Sequence, residues 1–244
     1  MPRHFLNTRP RDDAAPLTAL LEERGHAVTA APLLSIAYLR PDDLDLEGVA
    51  GLLATSANGL RAFAKASDRR DLAVYAVGDA TARAAAEAGF SDVHSASGDV
   101  DTLAALVIER LDPETGALFH AAGTRLAGDL GGQLSAAGFT VNRCVLYRAD
   151  EAKKLPQAVG DGLRSGEIDS VVFFSPRTAR QFATLVRDAG LETNLDNADV
   201  FCLSAAVTEQ ADVLNWRKTH IADAPTQKAL LNLIDANPGR TTGL

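Results

Sequence analysis

Hydrophobic positions along the chain follow two alternating patterns. Short runs of Val, Leu and Ala predict buried strands, and the longer segments between them place apolar residues at helical spacing and often end near a glycine. This alternation is typical of an α/β fold with mostly parallel sheets. The predicted strands comprise residues 3–8, 26–30, 50–55, 72–77, 92–95, 116–121, 140–147, 169–174, 199–203 and 219–222. Because they are too many for one small sheet, we expect two.

The chain also repeats itself. LLATSANGLRAF at 52–63 and VFFSPRTARQF at 172–182 each contain an apolar run, a Ser, and an Arg and a Phe at the same distances after that Ser. Three further pairs are weaker, and one of them contains an Arg after its first strand. They are 75–86 with 201–212, 94–107 with 221–234, and 5–34 with 118–147, the Arg-containing pair. Internal repeats of this kind predict two similar units of structure.

The order of the repeats predicts an inserted domain. In the middle of the chain the Arg-containing segment, 118–147, is the last of the four repeats. In the flanking parts its partner, 5–34, is the first. We therefore expect an outer domain, 1–35 plus 150–244, and an inner domain, 40–145. The hinge strands 36–39 and 146–149 should pair as a two-stranded β linker. The predicted fold is two similar flavodoxin-like, parallel-sheet α/β domains, and a cleft between domains joined in this way is the default ligand site.

Composition narrows the class of protein. Of the 244 residues 46% are hydrophobic and 23% charged, as in soluble globular α/β proteins. The chain enters a strand at once and has no apolar run of the ~18 residues that a membrane helix needs, so a cytoplasmic protein without membrane contact is expected. Each domain can close its own core, which predicts a monomer.

Charge and metal-binding residue types exclude further functions. The net charge of −8 argues against a nucleic-acid partner but leaves a small anion possible. Cys144 and Cys202 lie in apolar runs and are predicted to be buried thiols. The five histidines are scattered singly at strand edges or loops, so no metal site is predicted.

Several familiar catalytic motifs are absent. The chain has no GxGxxG after a strand, no GxxxxGK followed by Ser or Thr, no HExxH and no GxSxG, which disfavours nucleotide-dependent enzymes, zinc hydrolases and serine hydrolases. Small hydroxylated residues and arginines stand instead at the strand-to-helix corners, where helix N termini bind anions. The candidate binding residues at these corners are Thr8, Arg9, Thr55, Ser56, Thr81, Arg125, Ser175, Ser204 and Thr226.

Each corner taken alone also has a purely structural interpretation. Ser and Thr cap helices whatever a protein binds, and most surface arginines are solvated charges. Repetition of the corner favours function, because parallel strands bring such corners to one sheet edge, where α/β folds bind ligands. Tyr147 is a candidate proton donor, since a phenol is protonated at neutral pH, but the sequence alone favours the structural interpretation, an aromatic anchor for the hinge. Asp79 is interpreted as a solvated charge.

Short segments over nearly the whole chain match one family in order and spacing. They are LNTRP (6–10), the Gly-x-x-Val of 25–28, ATSANGL (54–60), AVGDATA (76–82), the Gly-x-Arg of 123–125, VLYR (145–148), FFSPRTA (173–179) and ADAPTQKALL (222–231). With them the chain resembles the uroporphyrinogen-III synthase family. The resemblance implies two α/β domains, a two-stranded linker and an active site in the cleft, with no cofactor and no metal.

The resemblance also implies a reaction. Linear hydroxymethylbilane, a substrate with eight carboxylates, would lose water and close to uroporphyrinogen III with its terminal pyrrole ring inverted, through a spiro intermediate. Positioning of the substrate would be the main task of such an enzyme. By the same resemblance Tyr147 assists departure of the hydroxyl and Thr81 and Ser175 bind substrate. The matching segments add Asn58, Gly78, Gly123 and Pro176 as candidate binding residues.

One segment departs from the family pattern. The family reads Gly-Pro-x-Thr-Ala where this chain reads Ser-Ala-Ala-Val-Thr at 204–208, so the hydroxyl expected at Val207 is missing. This departure keeps an alternative open, a two-domain anion-binding or regulatory protein that closes on a ligand without catalysing a reaction. Such a protein could also be a degenerate member of the family. Tyr147 and the VGDATA segment favour the enzyme.

Overall fold

The structure is a computed structural model and describes residues 1–41, 44–126 and 128–239. The chain divides into two compact units. The outer unit consists of Met1–Ser35 and the chain from Asp150 onward, and the inner unit of Ile36–Ala149. Among the described residues no helix combines the length and the apolar character that a membrane crossing requires.

The outer unit is built on a five-stranded sheet whose paired strands are all parallel. Its strands are β1 (His4–Asn7), β2 (Ala27–Ala30), β9 (Ser170–Phe173), β10 (Asp199–Cys202) and β11 (Lys218–Ile221). Its helices are α1 (Arg11–Glu22), α6 (Gln157–Ser165), α7 (Pro176–Asp188), α8 (Ala205–Ala211) and α9 (Gln227–Asp235). The spatial order β2-β1-β9-β10-β11 is that of flavodoxin-like folds.

The inner unit has the same arrangement around a six-stranded sheet, in the order β3-β8-β7-β4-β5-β6. The strands of this sheet are β3 (Leu34–Tyr38), β4 (Val49–Ala54), β5 (Ala73–Ala76), β6 (Val93–Ser95), β7 (Ala117–Gly123) and β8 (Val141–Glu151). The first two residues of β3 and the last two of β8 lie beyond the bounds of the inner unit. Its helices are α2 (Ala57–Ala66), α3 (Asp79–Glu87), α4 (Val100–Arg110) and α5 (Leu130–Ala136). Here the strands that correspond to β1 and β2 are β7 and β8, which come last along the chain.

Burial explains why these runs form strands. All four residues of β9 are buried, as are all four of β10, because helices cover both faces of a parallel sheet. The outer sheet accordingly separates two apolar clusters, one around Phe173 and Phe182 and one around Phe5 and Phe201. The inner sheet likewise carries two clusters, one around Phe63 and one around Leu103.

The predicted fold class of two parallel-sheet α/β domains is confirmed, with differences of detail. The predicted strand 140–147 and the predicted hinge strand 146–149 form one strand, β8, which lies beside β3. The Leu39 amide donates a hydrogen bond to Leu146 O of β8 at 2.8 Å. Placing every histidine at an edge or in a loop was wrong for His120, which lies within β7 and is buried. Cys202 is buried as predicted, whereas Cys144 is only partly so.

Candidate functional site: the strand-to-helix corners

The inner unit brings Tyr147 to the corner between β4 and α2. Ser56 caps α2, and its Oγ accepts the Gly59 N–H at 3.1 Å. The same oxygen lies 2.8 Å from the phenol oxygen of half-buried Tyr147. Two residues that the sequence predicted separately, one as a binding residue and one as a proton donor, are thus hydrogen-bonded to each other.

A β-bulge orients Tyr147. Ala122 of β7 pairs with Val145 of β8, but the next residue, Gly123, pairs with Tyr147, so Leu146 is an extra residue in β8. Leu146 is buried in the core beneath the sheet. Bulges bend a strand and redirect its side chains, and here the redirected side chain is the tyrosine that reaches Ser56.

Gly123 leaves room for the tyrosine ring. A Cβ atom at this position would stand 2.7 Å from Cζ and 2.9 Å from the hydroxyl oxygen of Tyr147. The backbone around the ring is also tied, because the Thr124 N–H donates to Tyr147 O at 3.1 Å and the Arg143 guanidinium donates to Gly123 O at 3.0 Å. Gly123 therefore lies against the candidate acid, and its role in binding substrate stays a prediction.

Thr55 contacts a histidine that the sequence did not single out. Its Oγ1 lies 3.3 Å from Nε2 of His120, which is 2% exposed. Burial, and secondarily the charge of Arg143, lowers the pKa of His120 to about 4, so the ring is neutral at physiological pH. The apolar run LFHAAG gave no signal of this contact, because one histidine in a strand has no periodicity of its own.

The second inner corner, between β5 and α3, holds Gly78 and Thr81. Gly78 caps α3 without a side chain, and Thr81, in the first turn, is 4% exposed. Asp79 accepts hydrogen bonds from the hydroxyls of Ser95 and Ser97 at 2.7 and 3.0 Å, and these bonds hold its pKa below the usual value. Asp79 is exposed but fixed, so it is more than the solvated charge that the sequence indicated.

The equivalent serine corner of the outer unit has a different hydrogen-bonding pattern. Ser175 caps α7, whose first residue is Pro176, and its Oγ accepts the Thr178 N–H at 3.2 Å. The Ser175 and Thr178 hydroxyls are also 2.7 Å apart. Both hydrogen-bonding partners of the Ser175 hydroxyl thus belong to Thr178 of α7.

Arg9 connects several corners of the outer unit. Its guanidinium lies over the ring of Phe174 at 4.1 Å, donates to the Gln227 carboxamide at 3.0 Å, and pairs with Asp13 at 3.6 Å. Thr226 caps α9 beside it, accepting the Ala229 N–H at 3.1 Å. Arg9 thus connects the segments that follow the carboxyl ends of β1, β9 and β11.

The remaining predicted residues are more scattered. Thr8 is buried and donates its hydroxyl hydrogen to Val172 O at 3.2 Å. The Ser204 hydroxyl does not cap α8. Val207, at the position where a hydroxyl was expected, is 1% exposed and packs in the core. Asn58 accepts from Arg61 at 3.4 Å, and Arg125 is exposed beyond β7.

Fold and corners together define a class of protein, a flavodoxin-like α/β protein of two units. Its capped helix N termini lie at the carboxyl ends of parallel strands, and in the inner unit Tyr147 lies beside one of them. Comparison with known proteins is more specific. Residues 15–232 match the family model of uroporphyrinogen-III synthase HemD. The match covers most of the sequence, so the chain belongs to the uroporphyrinogen-III synthase family.

Solved structures agree with this fold. A uroporphyrinogen-III synthetase from Helicobacter pylori is similar with a TM-score of 0.64 and 16% identity, over 96% of this chain and 98% of that one. A mutant uroporphyrinogen III synthase from the extremely thermophilic bacterium Thermus thermophilus is similar with a TM-score of 0.55 and 16% identity, over 96% of each chain. No curated protein sequence matches significantly.

The sequence-based recognition of the family is thereby confirmed. With it come the predicted function, that of a uroporphyrinogen-III synthase, and the enzyme class, a cyclising lyase of tetrapyrrole biosynthesis.

Proposed function

We propose that Tyr147 is the proton donor of a dehydrative cyclisation in which hydroxymethylbilane becomes uroporphyrinogen III. The observation that carries this proposal is the placement of the half-buried phenol at a capped helix start, 2.8 Å from Ser56. When the carbon–oxygen bond of the hydroxymethyl group breaks, the phenol proton leaves with the hydroxide as water. After the spiro intermediate has opened, the free carbon of the inverted ring closes the macrocycle and loses the proton that restores the phenol, so the step is balanced.

The same corners supply the binding groups. The substrate is a polycarboxylate, and helix N termini and arginines are the groups with which an acidic protein binds anions. Within the inner unit the candidates are Thr55, Ser56, Asn58, Gly78, Thr81, Gly123 and Arg125. Within the outer unit they are Thr8, Arg9, Ser175, Pro176, Ser204 and Thr226. Each corner contributes about 0.3–1 kcal/mol from its helix dipole and more from each charge-assisted hydrogen bond, so several must act together.

The residues beside Tyr147 fit this assignment. His120 is uncharged at neutral pH because its pKa is about 4. It therefore adds no cation that would compete with the helix N termini and arginines for the substrate carboxylates. Among the corner residues that the structure describes there is no strong base, which suits a reaction whose leaving group departs readily and whose difficulty is the geometry of ring closure. We further propose that the enzyme acts as a cytoplasmic monomer without a nucleic-acid partner, in line with its net charge of −8.

The test is Tyr147→Phe, with Tyr38→Phe of β3 as the matched control. Freshly made hydroxymethylbilane is supplied, the product is oxidised, and the type I and type III isomers are resolved by chromatography. We expect kcat for the type III isomer to fall by about 10²-fold in Tyr147→Phe, the lower end of the range for general acids, with KM within about threefold.

The control variant should retain its activity. Full activity of Tyr147→Phe would remove the acid role from this residue. Only type I product from the unchanged protein would favour the alternative, a family member that binds without catalysis.

A further inference from the structure

The hydroxyl groups of Ser56 and Tyr147 have few partners. Within residues 1–41, 44–126 and 128–239, Ser56 Oγ has two hydrogen-bonding neighbours, the Gly59 amide at 3.1 Å and the Tyr147 phenol at 2.8 Å. The phenol oxygen has Ser56 as its side-chain partner in that same part of the chain. The direction of a single hydrogen bond therefore decides where the phenol hydrogen lies.

Two directions are possible, and they have different chemical consequences. If Tyr147 donates to Ser56, the phenol hydrogen is used inside the protein and is not available to a substrate. If Ser56 donates to Tyr147, the phenol hydrogen remains free, and the oxygen that loses it is already hydrogen-bonded. The Gly59 N–H donates to the serine oxygen and polarises it, which strengthens the serine as a donor.

We infer that Ser56 is a positioning residue for catalysis, which donates its hydroxyl hydrogen to the Tyr147 oxygen and leaves the phenol hydrogen for the departing hydroxyl of the substrate. This inference rests on the proposed role of Tyr147. As the carbon–oxygen bond breaks, the proton moves from phenol to leaving hydroxide, and the resulting phenolate keeps the Ser56 hydrogen bond. Two consecutive hydrogen bonds, from Gly59 N–H to Ser56 Oγ and from Ser56 O–H to the Tyr147 oxygen, thus connect the N terminus of helix α2 with the acid.

Two features place the tyrosine ring beside Ser56. The bulge at Leu146 directs the ring towards α2, and Gly123 lies close to the ring, where even a methyl group would stand 2.7 Å from Cζ. Ser56 and Gly123 are therefore both close neighbours of the phenol. Ser56 therefore has a second role besides capping α2, and the two roles can be separated by experiment.

The experiment uses Ser56→Ala, Tyr147→Phe and their combination in the full chain. We expect Ser56→Ala to lower kcat about tenfold, since a hydrogen bond to a developing charge is lost, with KM changed less than about threefold. In the Tyr147→Phe background the same change should lower kcat by less than about twofold. Ser67→Ala, at the other end of helix α2, is the matched control for a lost serine and should retain full kcat.

A substrate-free measurement accompanies the kinetics. The chain has three tyrosines, so tyrosine labelled with 13C at Cζ gives three NMR signals, and Tyr147→Phe assigns one of them. Ser56→Ala should move the Tyr147 signal and leave the other two in place. Gly123→Ala crowds the tyrosine ring without changing the capping serine, and it should move the same signal and lower kcat.

The outcomes separate this inference from the proposed function. An unmoved Tyr147 signal in Ser56→Ala, or equal losses of kcat with and without the phenol, would overturn the role of Ser56 and leave the acid role of Tyr147 intact. A fully active Tyr147→Phe would instead overturn the acid role, whatever the NMR signals show.

Discussion

Acid should weaken the inner unit through His120. This ring is 2% exposed, and its pKa is lowered from 6.5 to about 4, first by burial and then by the charge of Arg143. The unfolded chain therefore takes up a proton below about pH 6.5 that the folded inner unit accepts only near pH 4. Unfolding binds the extra proton, so the free energy of unfolding falls as the pH falls through this interval.

The magnitude follows from the two pKa values. Each pH unit between them is worth about 1.4 kcal/mol, so the difference of about 2.5 units costs about 3 kcal/mol once both states are protonated. At about pH 5 the loss is about 2 kcal/mol relative to pH 7.5. Such a loss is a large share of the stability of an ordinary domain.

Replacement of the histidine removes this dependence. His120→Gln keeps a polar group near the position of Nε2, where Thr55 lies 3.3 Å away, but it does not titrate. Urea unfolding followed by far-UV circular dichroism should show an acid-dependent loss about 2 kcal/mol smaller in this variant at pH 5. Fluorescence of the single tryptophan, Trp216, reports the outer unit separately.

A second variant tests the causes of the shift. Arg143→Gln removes the charge but not the burial, so it should raise the pKa of His120 only in part and reduce the acid effect by less than His120→Gln does. NMR titration of the His120 ring gives the pKa itself. A midpoint near 6.5, or the same acid dependence in His120→Gln as in the unchanged chain, would refute the reasoning.

Two further predictions concern stability, each measured by urea unfolding. Gly59→Ala places a Cβ against the backbone oxygen of Ala121, so it should lower the free energy of unfolding by about 1–3 kcal/mol. Gly131→Ala in α5 meets nothing within 4 Å, so it should be neutral or stabilising by up to about 1 kcal/mol. Equal effects of the two changes would contradict the contact at Gly59. Asp199→Asn should cost about 3–5 kcal/mol, because it leaves the buried Arg3, 2.9 Å away, without its counter-charge; a loss below about 1 kcal/mol would show that the pair is not needed.

The order of repeats predicted the fold better than any single motif. Because the Arg-containing repeat stands first in the flanking parts and last in the middle of the chain, the sequence predicts two similar α/β units with one inserted in the other. The structure adds the strand order, in which β7 and β8 take the places of β1 and β2. The serine corners were likewise visible, since their residues are local in sequence.

The side-chain contacts within the inner corner were not visible in the sequence. Ser56 and Tyr147 are far apart in sequence, and their hydrogen bond depends on a bulge, which is a feature of register between two strands and leaves no periodic signal. The same holds for Thr55 and His120. The sequence analysis assigned Thr55 and Ser56 to anion binding and Tyr147 to proton donation one by one, whereas the structure connects such residues in pairs.

The two serine corners show how a duplicated unit becomes chemically distinct. Three residues after the serine, the outer unit has Thr178, whose hydroxyl lies 2.7 Å from Ser175, whereas the inner unit has Gly59, which offers only its amide. The repeated segments 5–34 and 118–147 end in Leu34, a buried residue, and in Tyr147. The absence of a side chain at Gly59 both admits the close approach of β7 and leaves Ser56 available to the phenol. Proton donation can therefore belong to the inner corner alone, and the outer corner keeps the general ability of a capped helix to bind an anion.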